Sequence, residues 1–236
     1  MSVPATGFEQ RIVLLKAVVV DPGRRVERML DEAVLAVFNR DREKAAWVIQ
    51  HDETIDRADV EIERAAVRLL CEIANVSTTL GPDQIRWILT VVKVNNELER
   101  IADEAVAIAE RSAAFSDLDR TPPERFRVMA HSVIGILQST TRCFEKVDVA
   151  LAERVLQSDE LVDQFEAQIL RDMQQELAEK KVDVDFAFAV NTMAAALERI
   201  DDHCTNIAEQ TIYVSTGKIV RHLEGHWSAP ETPGAA

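Results

Sequence analysis

Glycine and proline are scarce in this chain of 236 residues, seven of each, and aromatic side chains make up only 5% of it. An all-β domain needs turn residues roughly every 8–12 positions, so this composition excludes a sandwich or barrel and favours long helices packed through aliphatic stripes. Cysteine is rarer still. Cys71, Cys143 and Cys204 are odd in number, far apart and without a CxxC pair, which excludes a disulfide framework. They read as small hydrophobic residues inside helical patterns. No uninterrupted apolar run approaches the ~20 residues that cross a bilayer. The stretch Ile12–Val20 is broken by Lys16 and stops at Asp21-Pro22-Gly23, and nothing at the N-terminus has the form of a signal peptide, so a cytoplasmic location is expected. Positive charge is also short. Lys and Arg number 27 against 41 Asp and Glu, a net charge of −14. Such a surface repels phosphate backbones and argues against nucleic acid as a direct ligand. It attracts cations and basic partner surfaces, or it serves only to keep a large helical protein soluble.

The signatures of catalysis are missing as well. There is no Gly-rich phosphate loop, no HExxH, no nucleophile elbow, and no Glu followed three residues later by His, the pattern that di-iron carboxylate bundles use. A non-enzymatic role is expected, with a carboxylate-bridged oxidase as the enzymatic alternative.

What the chain does contain is a repeat. Leu98–Glu110 begins Leu-Glu-Arg-Ile-Ala-Asp, and Leu197–Glu209, 99 residues on, begins Leu-Glu-Arg-Ile-Asp-Asp. A second match, Val48-Ile49-Gln50 and His51–Asp56 against Val155-Leu156-Gln157 and Ser158–Asp163, has an offset of 107. The offsets differ by eight residues, a length change that falls in Asn75–Pro82. Recurrence at half the chain length signals a duplicated unit.

Helical spacing of apolar residues divides each half into three helices. Phe8–Val20 leads to Asp21-Pro22-Gly23, read as a break or kink. Arg24–Arg40 follows, with Val26, Leu30, Ala33, Val34 and Val37 inward. The next helix runs Arg42–Asn75, with Ala45, Val48, Ile49, Ile55, Ala58, Ile62, Ala65, Ala66, Leu69 and Leu70 in its stripe. A third spans Asp83–Ser112, with Ile85, Ile88, Leu89, Val92, Leu98, Ile101, Ala105 and Ile108 inward. Ser116–Pro123 is the candidate linker, because Pro-Pro does not fit inside a helix. Helices over Pro123–Glu145, Asp148–Lys180 and Asp183–Ser215 complete the second half, with Gly217 as a C-cap. The expected fold is all-α, two tandem pseudo-symmetric three-helix bundles over residues 8–115 and 122–220, with a loose leader at 1–7 and a disordered tail at 221–236.

Each half then carries two acid pairs, four residues apart, on neighbouring antiparallel helices. They are Asp52/Asp56 with Glu99/Asp103, and Asp159/Asp163 with Glu198/Asp202. Residues four apart share a helix face, and like charges there repel unless a cation separates them. A lone pair of this kind is ordinarily a solvated surface. Two pairs facing across a groove, repeated in both halves, make a hard-oxygen site suited to Mg²⁺, Ca²⁺, Mn²⁺ or iron. His203 and Asn206 lie beside the second site, and Asn96 stands three residues before Glu99. Arg100 and Arg199 flank the acids as salt-bridge partners or phosphate binders. The halves are not equivalent, since Asn96 and Glu97 are matched by Ala195 and Ala196.

At these residues the chain resembles the PhoU family, accessory proteins of bacterial phosphate-specific transport, over about residues 8–222. Leu197–Glu209 is similar to the family signature LERIGDHAxNIAE, with Asp201 in place of Gly and Cys204 in place of Ala. Gln210–His222 resembles the family's C-terminal run. The first copy departs more, with Glu104 at the usual His or Leu position and Ala107 in place of Asn. The resemblance implies a negative regulator of the phosphate-starvation response. Such a protein bridges the phosphate ABC transporter, through its ATPase subunit, to a membrane sensor histidine kinase of the PhoR type, and meets the membrane only through those partners. It further implies a homodimer, and metal ions on the repeated E/DxxxD motifs, including iron clusters, with Mg, Mn or Zn as alternatives. Carried over, the ligands are Asp52, Asp56, Glu99, Asp103, Asp159, Asp163, Glu198 and Asp202, with Asn95 and Asn96 as supporting groups. The competing expectation is a metal-free helical scaffold with solvated acidic faces.

Overall fold

The structure is a computed structural model that describes residues 5–75, 80–117 and 120–220. It contains six long helices: α1 (Ala5–Asn39), α2 (Arg42–Asn75), α3 (Pro82–Asp117), α4 (Glu124–Lys146), α5 (Val149–Ala178) and α6 (Val184–Thr216). Among the described residues none is long and apolar enough to cross a membrane. The expected leader falls mostly, and the expected tail wholly, outside the described residues.

The ends are set by local chemistry. Asp41 Oδ1 accepts from the amides of Glu43 and Lys44 at 3.0 and 3.1 Å and so starts α2. Asp148 Oδ1 accepts from Leu151 N at 3.0 Å, and Asp183 Oδ1 from Phe186 N at 2.7 Å, so each caps the following helix. These bonds satisfy donors that a helix start leaves without an internal partner. Gly217, at φ 73°, ends α6 by donating to Tyr213 O at 2.8 Å, a left-handed C-cap that a Cβ would strain. Arg86 packs so closely over Gly217 that a Cβ would also approach its guanidinium to 3.2 Å.

The helices form two antiparallel triplets, α1–α2–α3 and α4–α5–α6, joined chiefly by α3 against α6 and also by α1 against α4. The two repeated Leu-Glu-Arg-Ile segments therefore lie on the helices at the centre of the molecule. Ion pairs Glu104–Arg199 and Glu97–His203 show that α3 and α6 run antiparallel.

Two expectations are corrected. Of the break or kink expected at Asp21-Pro22-Gly23, the break does not occur, because α1 passes through Pro22 without interruption. Proline costs a helix interior about 3 kcal/mol through a lost amide and a clash with the preceding turn. Here the carbonyl deprived of its amide belongs to Val18, a residue that is half exposed, while Pro22 and Gly23 are buried against the rest of the protein. Gly23 lets α4 approach, since a Cβ there would lie 2.9 Å from Thr141 Cγ2. Gly23→Ala is therefore expected to cost about 1–3 kcal/mol through overpacking. Thr141→Ser removes the offending methyl and keeps the hydroxyl that bonds Leu137 O, so it should relieve most of that loss. Urea unfolding of the two single variants and the double variant measures the coupling.

The second correction concerns the inward stripes. Ile49, Leu70, Ile85 and Leu89 are between 42% and 49% exposed. Because α2 touches only α1 and α3, its buried seam is narrow and repeats every seven residues, through Val48, Ile55, Ile62 and Leu69 on one line. A 3.5-residue repeat of this kind is the mark of coiled-coil packing. On α3 the inward face includes Val91 and Val94, which displace Leu89 and Val92 from the centre of the stripe. The cysteines divide. Cys143 and Cys204 are fully buried, but Cys71 is exposed.

Candidate metal centres

The seven-residue seam also explains where the acids sit. The second line of the α2 seam runs Ala45, Asp52, Asp59, Ala66, and the matching line on α5 runs Ala152, Asp159, Glu166, Met173. The outer members of both lines are buried apolar residues, and the middle members are carboxylates. Sequence packing thus places two acids of each half in what would otherwise be hydrophobic seam positions. Asp52, Asp59, Asp159 and Glu166 are accordingly half-buried, as are Glu99 and Glu198 facing them, while Asp56, Asp103, Asp163 and Asp202 are exposed.

The expected pairs feel one another's charge across the grooves. In the N-terminal half, burial raises the Asp52 carboxyl to about 6, helped by the charges of Asp56 and Asp103. Glu99 is raised by burial, then by Asp103, Asp59 and Asp56, against the pull of Arg100. Asp103 is raised by burial and by Asp56 and Glu104, and drawn down by Arg100. In the C-terminal half, Asp159 is raised by burial and by Asp163 and Asp202. Burial carries Glu198 up to about 7, reinforced by Asp202, Glu166 and Asp163 and opposed by Arg199. Asp202 is raised by burial and Asp163, and lowered by His203 and a hydrogen bond with Glu198. Each groove holds carboxylates that resist carrying their full charge without a cation.

Three acids escaped the sequence reading. Asp59 stands three residues after Asp56, and Glu166 three after Asp163, so they keep the same 107-residue offset as the pairs themselves. Extending the repeat comparison by one turn would have found both. Asp201 is the third, visible in the sequence only as a departure from a glycine. It is 2% exposed. Burial, then Asp159, Asp202, Asp163 and Glu198, push its carboxyl to about 7.

The polar neighbours are distributed differently from expectation. Buried Asn95 donates through Nδ2 to Asp59 Oδ1 at 2.7 Å and to Asp59 O at 3.1 Å, so it supports the first cluster. Asn96 is exposed and accepts from Arg100 Nε at 3.4 Å. His203 and Asn206, expected at the second site, cross to the other half. His203 Nδ1 lies 2.7 Å from Glu97 Oε2, and Asn206 Nδ2 donates to the same oxygen at 3.2 Å. Arg199 closes a two-pronged pair with Glu104, Nε to Oε1 at 2.6 Å and Nη2 to Oε2 at 2.7 Å, the planar match that guanidinium and carboxylate favour. The seam between the halves is thus a polar latch running between the two acidic grooves.

The donor set is entirely carboxylate and suits hard cations. Asp52 Oδ1 and Asp201 Oδ1 are buried and have no hydrogen-bond partner, a costly state that a coordinated ion would relieve. As placed, no three acidic, histidine or cysteine side chains among the described residues form a group ready to hold a metal ion. Asp56, Asp103, Asp163 and Asp202 are the exposed members of the two clusters.

Comparison with known proteins adds an independent finding. A family model described as the PhoU domain matches residues 20–112 and again 126–211. A curated protein of Thermotoga maritima, the phosphate-specific transport system accessory protein PhoU homolog 1, is 30% identical over 218 residues, covering 92% of both chains. Its Escherichia coli counterpart, the phosphate-specific transport system accessory protein PhoU, is 27% identical over 219 residues, covering 92% of this chain and 89% of that one. Among solved structures, PhoU from Pseudomonas aeruginosa superposes with a TM-score of 0.84 at 27% identity, over 89% of this chain and all of the other.

Proposed function

The chain belongs to the PhoU family, and from that premise we propose that it is a cytoplasmic, non-enzymatic regulator of phosphate uptake and phosphate-starvation signalling. It acts by binding. Its partners are the phosphate ABC transporter, through the ATPase subunit, and a sensor histidine kinase of the PhoR type, with a second copy of itself completing the assembly. In this reading the two grooves hold metal ions, iron, manganese, magnesium or zinc. Asp52, Asp56, Asp59, Glu99 and Asp103 serve the first, and Asp159, Asp163, Glu166, Glu198 and Asp202 the second. Bound cations offset the repulsion within each groove and present a stiffened acidic face to basic or polar partner surfaces.

The observation that carries the reading is the placement of carboxylates in the apolar seam of both hairpins, at matching positions, in a chain whose two halves both match the family. A stable core would be better served there by Leu or Ile, so the acids point to a ligand and not to stability. The competing reading, a metal-free scaffold, draws on the absence of a preassembled donor group among the described residues.

Affinity capture of the full chain from phosphate-replete cells tests the partner half. Recovery of the transporter ATPase and a histidine kinase is expected, and weaker recovery with Glu99→Ala/Glu198→Ala. A capture that contains neither protein overturns the adaptor role. Elemental analysis of the same preparation, purified without chelator, is expected to show more than one metal equivalent per chain.

A further inference from the structure

The two grooves differ in ways that the duplication alone does not account for. Position 201, on α6, corresponds through the 99-residue offset to Ala102 on α3, which is fully buried. At 201 the same buried place is taken by a carboxylate. Asp201 stands next to Asp202 and one helical turn from Glu198, on the core side of both, and its strongest charge neighbour is Asp159 across the groove on α5. Residues three and four apart on a helix are neighbours on its surface, so Glu198 is flanked by Asp201 on its core side and by Asp202 on its exposed side. Asp201 is 2% exposed, and its Oδ1 is buried without a hydrogen-bond partner. A buried acceptor left empty costs about 1–3 kcal/mol, more when charged. Nothing in the helix packing requires it, as Ala102 shows in the other half.

The opposite asymmetry appears at the seam acids. Asp59 is tied by the side-chain amide of Asn95. The residue matching Asn95 is Ala194, so Glu166 lacks the corresponding amide.

We infer that Asp201 is a metal-ligating carboxylate at the floor of the C-terminal groove, and that it makes this groove the tighter of the two sites for a hard cation. The inference rests on the reading of both grooves as metal sites. A sixth carboxylate raises the negative charge facing the ion and supplies coordination from the protein side, where solvent does not reach. The first groove, with alanine at that place and Asp59 partly engaged, holds its ion with fewer carboxylates and more water.

Manganese binding to the chelator-stripped full chain, followed by loss of the free Mn²⁺ electron paramagnetic resonance signal, tests this directly. The wild type is expected to show two classes of site. Asp201→Asn should weaken the tighter class by at least about tenfold, the scale on which coordination-sphere changes act, and leave the weaker class unchanged. Its metal-free melting temperature should equal or exceed that of the wild type, because a buried carboxylate has been neutralised without loss of volume, which separates lost coordination from misfolding. Glu198→Ala provides the reference. If Glu198→Ala loses the tight class while Asp201→Asn binds as the wild type does, Asp201 is a neutral core acid and the inference is overturned. If the wild type binds no Mn²⁺, the metal reading of both grooves falls, and this inference with it.

Discussion

Metal-free protein is expected to lose thermal stability as the pH rises from about 4 to about 7, and saturating Mn²⁺ to remove the loss. The sign follows from the direction in which the carboxyls move. Asp201 and Glu198 titrate near 7 in the fold, and Asp52 near 6, against ordinary values of 3.8, 4.5 and 3.8. Below about 4 these groups are protonated both folded and unfolded, and their contribution to stability is fully present. Between their ordinary and folded values the native chain holds protons that the unfolded chain has released. Stability then falls with rising pH, until above about 7 the folded clusters carry their full repulsion. Each tenfold change in proton affinity between the folded and unfolded chain corresponds to roughly 1.4 kcal/mol. Glu198 and Asp52 are partly exposed and screened, so they contribute less than that. Together with deeply buried Asp201 the fall should amount to a few kcal/mol, or on the order of 10 °C for a chain of this size. A cation that binds only the folded state adds about 2.7 kcal/mol at a hundredfold excess over its dissociation constant. It binds best when the carboxylates are ionised, so its effect is largest where the metal-free protein is weakest. Calorimetric scans at about pH 5 and about pH 7.5, with chelator and with Mn²⁺, bracket the window in which the folded chain keeps the extra protons. Equal melting temperatures in all four conditions would refute the account of the grooves as strained cation sites.

Phe115→Ala is expected to destabilise the protein by about 3–5 kcal/mol, the range for truncating a buried aromatic. Phe115 is fully buried near the end of α3. Its ring meets Phe186, in the first turn of α6, edge-on at 5.5 Å. The guanidinium of Arg120 caps the Phe186 ring at 5.7 Å. The contact ties the two halves at one end of the α3–α6 seam, so its loss should open a cavity between them and lower the melting temperature by roughly 10 °C. Phe188, two residues along α6 and 61% exposed, serves as the control, and Phe188→Ala should change stability by no more than about 0.5 kcal/mol. Similar losses from both variants would mean that Phe115 does not join the halves as the packing indicates.

Much of the fold was legible because it is written in local chemistry. Asp148 and Asp183 cap the helices that they were expected to open, Gly217 ends α6, and α2 has the expected bounds Arg42–Asn75. Caps and turn residues act within four positions, so no knowledge of neighbours is needed to see them. Pro22 left a break and a kink both open for the same reason. Its local preference is to end a helix, and only the packing of Pro22 and Gly23 against the other helices overrides it. Phe115 sat in a stretch read as the approach to a linker, because its partner Phe186 lies on another helix. Ile49, Leu70, Ile85 and Leu89 were placed inward because periodicity gives the direction of a stripe but not its width, and the width depends on how many helices cover it.

The candidate site divides along the same line. The eight paired acids recur at matching offsets, and a duplicated pattern is a property of the sequence. Asp59 and Glu166 follow from the same offset, once the seven-residue seam is recognised. Asp201, His203 and Asn206 are different. Their roles depend on what α5 and α3 present to α6, and that is settled only when the helices pack.

The sequence by itself determined the six helices, the duplication, and the two sets of carboxylates, because these rest on spacing and on interactions a few residues long. The tertiary structure alone decided that α3 and α6 form the seam, that Glu97 and Glu104 latch His203 and Arg199 across it, and that one carboxylate, Asp201, lies under the second groove while alanine lies in its place on α3. Burial and charge proximity are properties of pairs of helices, and no single helix carries them in its own order of residues.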